Sequence, residues 1–136
     1  MQSAGKIKAK INNLNYRQVF IICLAAIIIF STLSPVGPND LSRYLNIVSI
    51  AKKGSLIIDE ELQKFDTMDK LFINGHFYSD KPPLFAITFS PVYYAAKLLN
   101  IPVYNKYLYK FSIILIPGIF FAFAMSLFYK EYAVNF

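Results

Sequence analysis

The chain has 136 residues, of which 56% are hydrophobic, and it carries a formal net charge of +6. This hydrophobic share exceeds the roughly 45–50% that is usual in soluble domains. The single cysteine, Cys23, excludes an intrachain disulfide and a cysteine-ligated metal site. The lysines flank apolar blocks and do not form one long stripe, so the charge indicates membrane topology and argues against nucleic acid as a partner.

The first apolar block follows a basic tail. The tail, residues 1–17, has no acidic residue, and an apolar run occupies 19–33. The basic residues of the tail are Lys6, Lys8, Lys10 and Arg17. We predict a transmembrane helix over 18–36. The run lacks a good small-x-small cleavage site, which favours an uncleaved signal anchor over a cleaved signal peptide.

Two further apolar blocks predict transmembrane helices over 84–104 and 111–129. The earlier block contains Lys97 near one end, which could reach the interface; a re-entrant or buried interfacial helix is the alternative. The later block contains no charge, and its Pro117-Gly118 pair is tolerated in a membrane helix as a kink.

The distribution of lysine and arginine predicts the orientation. The tail and the link 105–110 are basic without acids, so both are expected in the cytoplasm. The loop 37–83 mixes acidic and basic residues and is expected outside, as is the short tail 130–136. The predicted fold is an all-α, multi-pass protein of the inner cell membrane, with three transmembrane helices and a cytoplasmic N-terminus.

The outer loop begins with a predicted juxtamembrane amphipathic helix. Asn39 or Asp40 can cap it after Pro38, and Gly54 can end it. Its apolar face consists of Leu41, Tyr44, Leu45, Val48 and Ala51. The residues assigned mostly to the opposite, polar face are Ser42, Arg43, Asn46, Ser49 and Lys53. Such a helix is expected to lie along the membrane surface.

A small β-hairpin is predicted later in the loop. Asn74-Gly75 separates Leu71–Ile73 from His76–Tyr78. This dipeptide favours a type I′ turn, which needs positive φ at both central residues. The following Ser-Asp-Lys-Pro-Pro segment is a stiff lead into the next apolar block.

Two residues near the ends of this loop have chemistry of interest. Asp40 follows the first predicted span and could act as a general base, or simply cap the helix. Lys81 precedes the second span and could bind a phosphate, or serve only as an interfacial charge. His76, the sole histidine, is interpreted as an exposed hairpin residue.

An acidic stretch in the same loop could attract a hard cation. Its members are Asp59, Glu60, Glu61, Asp66 and Asp69. Nothing in the sequence fixes their geometry, so a solvated acidic stretch is favoured. No cofactor is predicted with certainty, and the need for a divalent metal stays open.

Two segments resemble the N-terminal region of GT-C type membrane glycosyltransferases, namely P-N-D-L-S-R-Y at 38–44 and N-G-H-F-Y-S-D-K-P-P at 74–83. Bacterial relatives of protein O-mannosyltransferases and of the lipid A aminoarabinose transferase are the most similar in pattern. The resemblance implies transfer of a sugar, usually with inversion, from a polyprenyl-phosphate carrier to an acceptor outside the membrane. It implies that Asp40 is catalytic, that Arg43 and Tyr44 bind substrate, and that Lys81 meets the carrier phosphate.

The chain departs from that family in two ways. Leu41 stands where a second acid is usual, and family members are several times longer. We therefore expect the N-terminal portion of such an enzyme, truncated and inactive alone. The alternative is a small non-catalytic three-span protein that acts as a subunit or assembly partner. The expected partners are the lipid bilayer, a polyprenyl-phosphate sugar donor, and further helices of a longer chain or of a partner subunit.

Overall fold

A computed structural model describes residues 14–135, with side chains to residue 132. Lys6, Lys8 and Lys10 of the predicted tail lie outside the described residues. The elements in chain order are α1 (Tyr16–Phe30), α2 (Pro38–Lys53), α3 (Asp59–Leu62), β1 (Lys70–Ile73), β2 (His76–Ser79), α4 (Pro83–Leu98), α5 (Lys106–Ile113), a π-helical turn (Ile114–Gly118) and α6 (Ile119–Asn135). The fold is mostly helical with one two-stranded antiparallel sheet.

The chain forms two compact units. Among the described residues, the helical unit comprises 14–31 together with 113–135. The central unit comprises Thr32–Ser112. The central unit is therefore inserted into the sequence of the helical unit, and each unit has its own packing.

Helix α1 begins at a capping box and ends earlier than the predicted span 18–36. The Asn15 side chain accepts from the helix backbone, and its own N–H donates to Gln18 Oε1 at 2.8 Å. Ser31 is already extended, with ψ of 139°. Serine and threonine compete for backbone hydrogen bonds there, and Pro35 disfavours helix at the residue before it. The 15 residues of α1 give a length of about 22 Å.

One continuous helical run, Lys106–Tyr132, is long and apolar enough to cross a membrane. Within residues 14–135 it is the only one, whereas the sequence predicted three. Helix begins at Lys106, so most of the predicted link 105–110 is helical and continuous with the apolar run. Pro117 lacks an N–H, and the helix accommodates it with the π-helical turn at the predicted kink.

The helical unit packs α1 against α6 through small residues. A side chain added at Gly118 would lie 3.1 Å from Ile27 Cγ2 and 3.1 Å from Ile113 O. Ala122 and Ser126 follow at intervals of four residues and are also buried. This spacing lets helix backbones approach closely.

Helix α2 is the core of the central unit, not an amphipathic surface helix. Its predicted apolar residues Tyr44, Leu45, Val48 and Ala51 are buried as expected, with Leu41 partly exposed. The predicted polar face is wrong for Ser42, Asn46 and Ser49, which are buried as well. The reason is that α2 packs against α4 on one side and against β2 and α3 on another, so both faces are covered.

The predicted C-terminal end of α2 is confirmed, whereas the predicted N-cap is not. Gly37 occupies the N-cap, with Pro38 as the first helical residue, so the predicted cap at Asn39 or Asp40 is wrong. Proline fits that position because its missing N–H would be unpaired anyway. Gly54 ends the helix with φ of 68°, as predicted.

The predicted hairpin is confirmed. Ile73 pairs with His76 and Lys70 pairs with Ser79. Asn74 and Gly75 have φ of 51° and 84°, which is the type I′ pattern. The chain before α3 runs along β2, where the N–H of residue 58 donates to the carbonyl of residue 77 at 2.9 Å.

Helix α4 is shorter than the predicted span 84–104. It has 16 residues, about 24 Å, whereas the hydrocarbon core of a bilayer is about 30 Å thick. It ends because Asn100 is left-handed, with φ of 57°, and Pro102 follows two residues later. One face of α4 packs on α2. The buried residues of that face are Ala86, Phe89, Ser90, Tyr93 and Ala96.

Candidate functional site

Ser42 joins the two sequence motifs within the central unit. Its Oγ lies 2.7 Å from Ser79 Oγ and 3.4 Å from Asp80 Oδ1, and it donates to the carbonyl oxygen of Asp69. Asp40 stands two residues before Ser42, and Lys81 stands two residues after Ser79. The helix that bears Asp40 and the segment that bears Lys81 are therefore adjacent, although about 40 residues separate them.

Lys81 is held between two carboxylates. Its Nζ lies 2.8 Å from Asp80 Oδ2 and 3.2 Å from Asp69 Oδ2. The hydrogen bond to Asp80 raises the pKa of Lys81, desolvation opposes this, and Asp69 adds to the rise. The ammonium is thus fixed in its charged form. It has three N–H donors, so a ligand phosphate can use the third or displace a carboxylate.

Asp40 lies in the first turn of α2 with its side chain 47% exposed. Arg43 Nη1 is 3.6 Å from Asp40 Oδ1, and the guanidinium lies 5.9 Å from the centroid of the Phe85 ring. Among the described residues, the ion pairs of Lys81 are with Asp69 and Asp80, so the structure does not pair Asp40 with Lys81 directly. Asp40 is accessible enough to meet an acceptor hydroxyl.

Tyr44 is a core residue in a cluster of tyrosines. Its ring makes edge contacts with Tyr93, Tyr104 and Tyr109 at centroid distances of 5.9, 6.4 and 5.4 Å. Its hydroxyl donates to the Val103 carbonyl at 3.1 Å, and burial raises the pKa of the Tyr44 phenol. The hydroxyl is already used, so Tyr44 can shape a site but is poorly placed to bind polar substrate atoms.

An aromatic cavity of about 220 Å³ opens beside this cluster. Leu41, Tyr44 and Phe65 supply apolar walls, and Lys106 contributes a cation. Leu41 is the neighbour of Asp40 in sequence, so the cavity reaches the flank of α2 next to that carboxylate. Lys64 Nζ lies 4.0 Å from the centroid of the Tyr104 ring, another wall of the cavity. The arrangement suits an apolar group with a nearby anion.

The acidic residues of the loop are paired with bases. Glu61, fully buried, lies 3.0 Å from Lys52 Nζ and 3.2 Å from Lys53 Nζ. The remaining ion pairs of this stretch are Glu60 with the same lysines, Asp66 with Lys70, and Asp69 with Lys81. Across the described residues, no group of three or more His, Cys, Asp or Glu side chains could hold a metal ion.

His76 has a structural partner. Its Nδ1 lies 2.7 Å from Asp59 Oδ2, and the other oxygen of Asp59 accepts the N–H of Phe77 at 2.7 Å. The hydrogen bond to His76 lowers the pKa of Asp59, and the one to Phe77 adds to this. The pair ties the start of α3 to the hairpin, which agrees with the interpretation of His76 as an exposed hairpin residue.

Sequence reasoning missed the residues that assemble the site. Ser42 and Ser79 give no signal in periodicity, because short hydroxyl side chains are common on exposed faces. Asp69 was assigned to a solvated stretch, yet it contacts Lys81. The one available hint was the pair of serines inside the two motifs themselves.

Comparison of the chain with protein-family models, with curated proteins and with solved structures gives no match.

Proposed function

We propose that the chain is the N-terminal portion of a membrane glycosyltransferase that uses a polyprenyl-phosphate sugar as donor. The observation that carries this proposal is the contact between Ser42 and Ser79, with Oγ atoms 2.7 Å apart. It joins the two segments on which the resemblance to GT-C type enzymes rests. Proximity of the two motifs is what a shared site would require.

The proposed reaction is an inverting transfer to an acceptor hydroxyl. Asp40 accepts the hydroxyl proton as the acceptor oxygen attacks the anomeric carbon. The bond between that carbon and the carrier phosphate breaks, and its electron pair leaves with the phosphate. Lys81 stabilises the phosphate charge, and Arg43 orients the Asp40 carboxylate through their ion pair.

The proposed location is the inner membrane, with a cytoplasmic N-terminus and both motifs on the outer side. The helix Lys106–Tyr132 is one membrane span, and α1 with its flanking residues is another. The basic residues before α1 support this orientation. Asp40 and Lys81 lie on the outer side whether or not residues 84–104 form a further span, because both precede that segment.

The mass of the native polypeptide tests whether the chain is part of a longer enzyme. A tag at the N-terminus of the chromosomal gene would be detected by immunoblotting. We expect a band several times heavier than 15.6 kDa. A band at 15.6 kDa would contradict the assignment to a full-length transferase.

Replacement of Asp40 tests the catalytic assignment. Asp40→Asn in the native polypeptide should reduce sugar transfer by about 100-fold or more, because the general base is lost while its shape is kept. Asp66→Asn removes the same charge from an exposed position in the same loop and is the matched control. Normal transfer by Asp40→Asn, with membrane insertion unchanged, would show that Asp40 is not the base.

Replacement of Lys81 tests the donor site. Lys81→Ala should weaken binding of a polyprenyl phosphate in lipid nanodiscs by about tenfold, since one charge-assisted contact is lost. Lys130→Ala, which removes an exposed lysine from the helical unit, should leave binding unchanged. Equal binding by the Lys81 variant and the native protein would contradict this role.

A second candidate is a non-catalytic membrane protein whose central unit binds another chain. The observation that favours it is the full pairing of Lys81 with Asp69 and Asp80, which a purely structural lysine would also show. Under this alternative, Asp40 and Lys81 are replaceable without loss of function, provided that the fold is kept.

A further inference from the structure

The outer face of α4 is an exposed apolar stripe. Its members recur every three or four residues and are Leu84, Ile87, Pro91, Tyr94 and Leu98. Leu84 is 73% exposed and Leu98 is 66% exposed, so the stripe runs the whole length of the helix, about 24 Å. Domains that face water rarely leave such a surface bare. An apolar phase or partner is therefore expected to cover it.

Contacts at both ends hold α2 alongside α4. At the start of α4, Ser42 of α2 contacts Ser79 and Asp80. At its end, Lys97 Nζ donates to the carbonyl oxygen of Lys52 at 2.9 Å. The two helices therefore run side by side, in the same direction, from one end to the other.

The other side of α2 carries the polar segment 57–81. Ser49 Oγ donates to the carbonyl of residue 57, and Thr67 Oγ1 donates to the Pro38 carbonyl at 3.1 Å. Six acidic residues lie in this segment, namely Asp59, Glu60, Glu61, Asp66, Asp69 and Asp80. If α4 crossed the bilayer, these charges would enter the hydrocarbon with it, which is strongly unfavourable.

We propose that α4 does not cross the membrane but lies in the interface of the lipid bilayer, with its apolar stripe on the acyl chains. The chain itself supports lipid as the occupant. Thr32 comes two residues after the end of α1, and Ser112 lies inside the apolar run Lys106–Tyr132. The central unit is therefore joined to the two apolar segments without an intervening linker.

The residues at the edge of the stripe fit the same occupant. Tyr94 has a ring and a hydroxyl, which suits the boundary between acyl chains and headgroups. Lys97 is exposed next to the stripe and supplies a positive charge at headgroup level. The mixture of large apolar residues with one tyrosine and one terminal lysine is typical of helices that lie in the interface.

This placement changes the topology. The chain then crosses the membrane twice, through α1 with its flanking residues and through Lys106–Tyr132, and the C-terminus returns to the side of the N-terminus. Residues 99–105 lie on the outer side. The three-span prediction puts residues 99–104 at the cytoplasmic end of the second span, residue 105 in the cytoplasmic link, and the C-terminus outside. The two arrangements therefore differ at positions that a reagent can reach.

Cysteine labelling distinguishes the two arrangements. Single cysteines at Gln63, Ile101 and Lys130, all exposed, are introduced one at a time into a Cys23→Ala background. Intact spheroplasts are treated with a membrane-impermeant maleimide before and after permeabilisation. We expect Gln63→Cys and Ile101→Cys to react in intact spheroplasts and Lys130→Cys to react only after permeabilisation. The opposite result for Ile101→Cys and Lys130→Cys would overturn the proposal.

A depth measurement tests the stripe without reference to topology or catalysis. The chain has no tryptophan, so Leu84→Trp and Tyr94→Trp each create a single emitter. Brominated lipids at defined depths should quench both to the same shallow degree in reconstituted vesicles. A crossing helix over 84–104 would put residue 94 near the bilayer centre. Markedly deeper quenching of Tyr94→Trp than of Leu84→Trp, or no quenching of either, would contradict the proposal.

Discussion

The two units differ in which side chains they bury and which they expose. In α6 of the helical unit, large side chains such as Phe120 and Phe128 are exposed, whereas Ala122 and Ser126 are buried. In α2 of the central unit, Leu45 and Val48 are fully buried, and the charged Lys53 is exposed at the end. Large residues outside and small residues inside are expected in lipid, where packing, not hydrophobicity, joins helices. The reverse arrangement is expected where water is the solvent.

This difference shows that hydropathy alone does not identify the role of an apolar helix. Helices α1 and α4 have similar length and are both apolar. Helix α4 packs lengthwise on α2 within the central unit, whereas α1 packs on α6 through a close contact at Gly118. The predictions below change residues whose burial or packing belongs to one unit and compare each with a matched control.

The largest effect is expected in the core of the central unit. Leu45→Ala should reduce the free energy of unfolding of this unit by about 3 kcal/mol, because a fully buried side chain leaves a cavity. Ile29→Ala, at a position 70% exposed in α1, should change it by less than about 0.5 kcal/mol. Denaturant titration in mild detergent measures both. Equal effects would mean that the two units do not differ in how they bury apolar residues.

The second-largest effect on stability is expected for the buried carboxylate of Glu61. Glu61→Gln leaves Lys52 and Lys53 with the exposed Glu60 as their only shared carboxylate and should cost about 2 kcal/mol, a figure reduced because both lysines are partly exposed. Glu60→Gln, at a side chain 60% exposed, should change the free energy of unfolding far less, because solvent screens its ion pairs. The same titration measures both. A Glu61 variant as stable as the Glu60 variant would argue against a buried ion-pair network.

A smaller effect is expected for the close contact in the helical unit. Gly118→Val should weaken the packing of α1 on α6 by about 1–2 kcal/mol, since a new side chain meets Ile27 and the backbone of Ile113. Ala124→Val adds a branched side chain at an exposed position of the same helix and should be neutral. Hydrogen exchange of α1 in detergent reports the difference. Unchanged exchange in the Gly118 variant would contradict the close approach.

The smallest effect is pH-dependent and concerns the hairpin. The pKa of Asp59 is lowered from 3.8, so its stabilising hydrogen bonds are present above that value and are lost as pH falls through the lower folded pKa. Exchange of the Phe77 amide, after correction for intrinsic rates, should therefore accelerate only under strongly acidic conditions. Asp59→Asn should remove this transition. Acid-induced opening that persists in that variant would assign the transition to another group.

Local chemistry allowed part of the fold to be predicted. Asn74-Gly75 fixed the hairpin because few dipeptides accept positive φ twice. Gly54 marked the end of α2 for the same kind of reason. The helix Lys106–Tyr132 extends further than predicted, because Lys106 and Lys110 interrupt the hydropathy but not the helix.

Tertiary contacts determine features of the fold that sequence periodicity does not predict. The periodicity of α2 predicted one buried face, but packing from two sides buried Ser42 and Ser49 as well. The elements that bear Asp40 and Lys81 meet through Ser42 and Ser79, two serines that the sequence did not single out. Contacts between small polar residues distant in sequence leave no periodic pattern to read.

The most direct test of the account is disulfide formation between Ser42→Cys and Ser79→Cys in a Cys23→Ala background. The two Oγ atoms are 2.7 Å apart, so sulfur atoms at these positions can bond with little movement. Ser49→Cys with Ser79→Cys is the control, because residue 49 lies about 10 Å further along α2. We expect rapid cross-linking of the first pair under mild oxidation and little of the second. No cross-linking of the first pair in a folded, membrane-inserted protein would contradict the assembly of the two motifs.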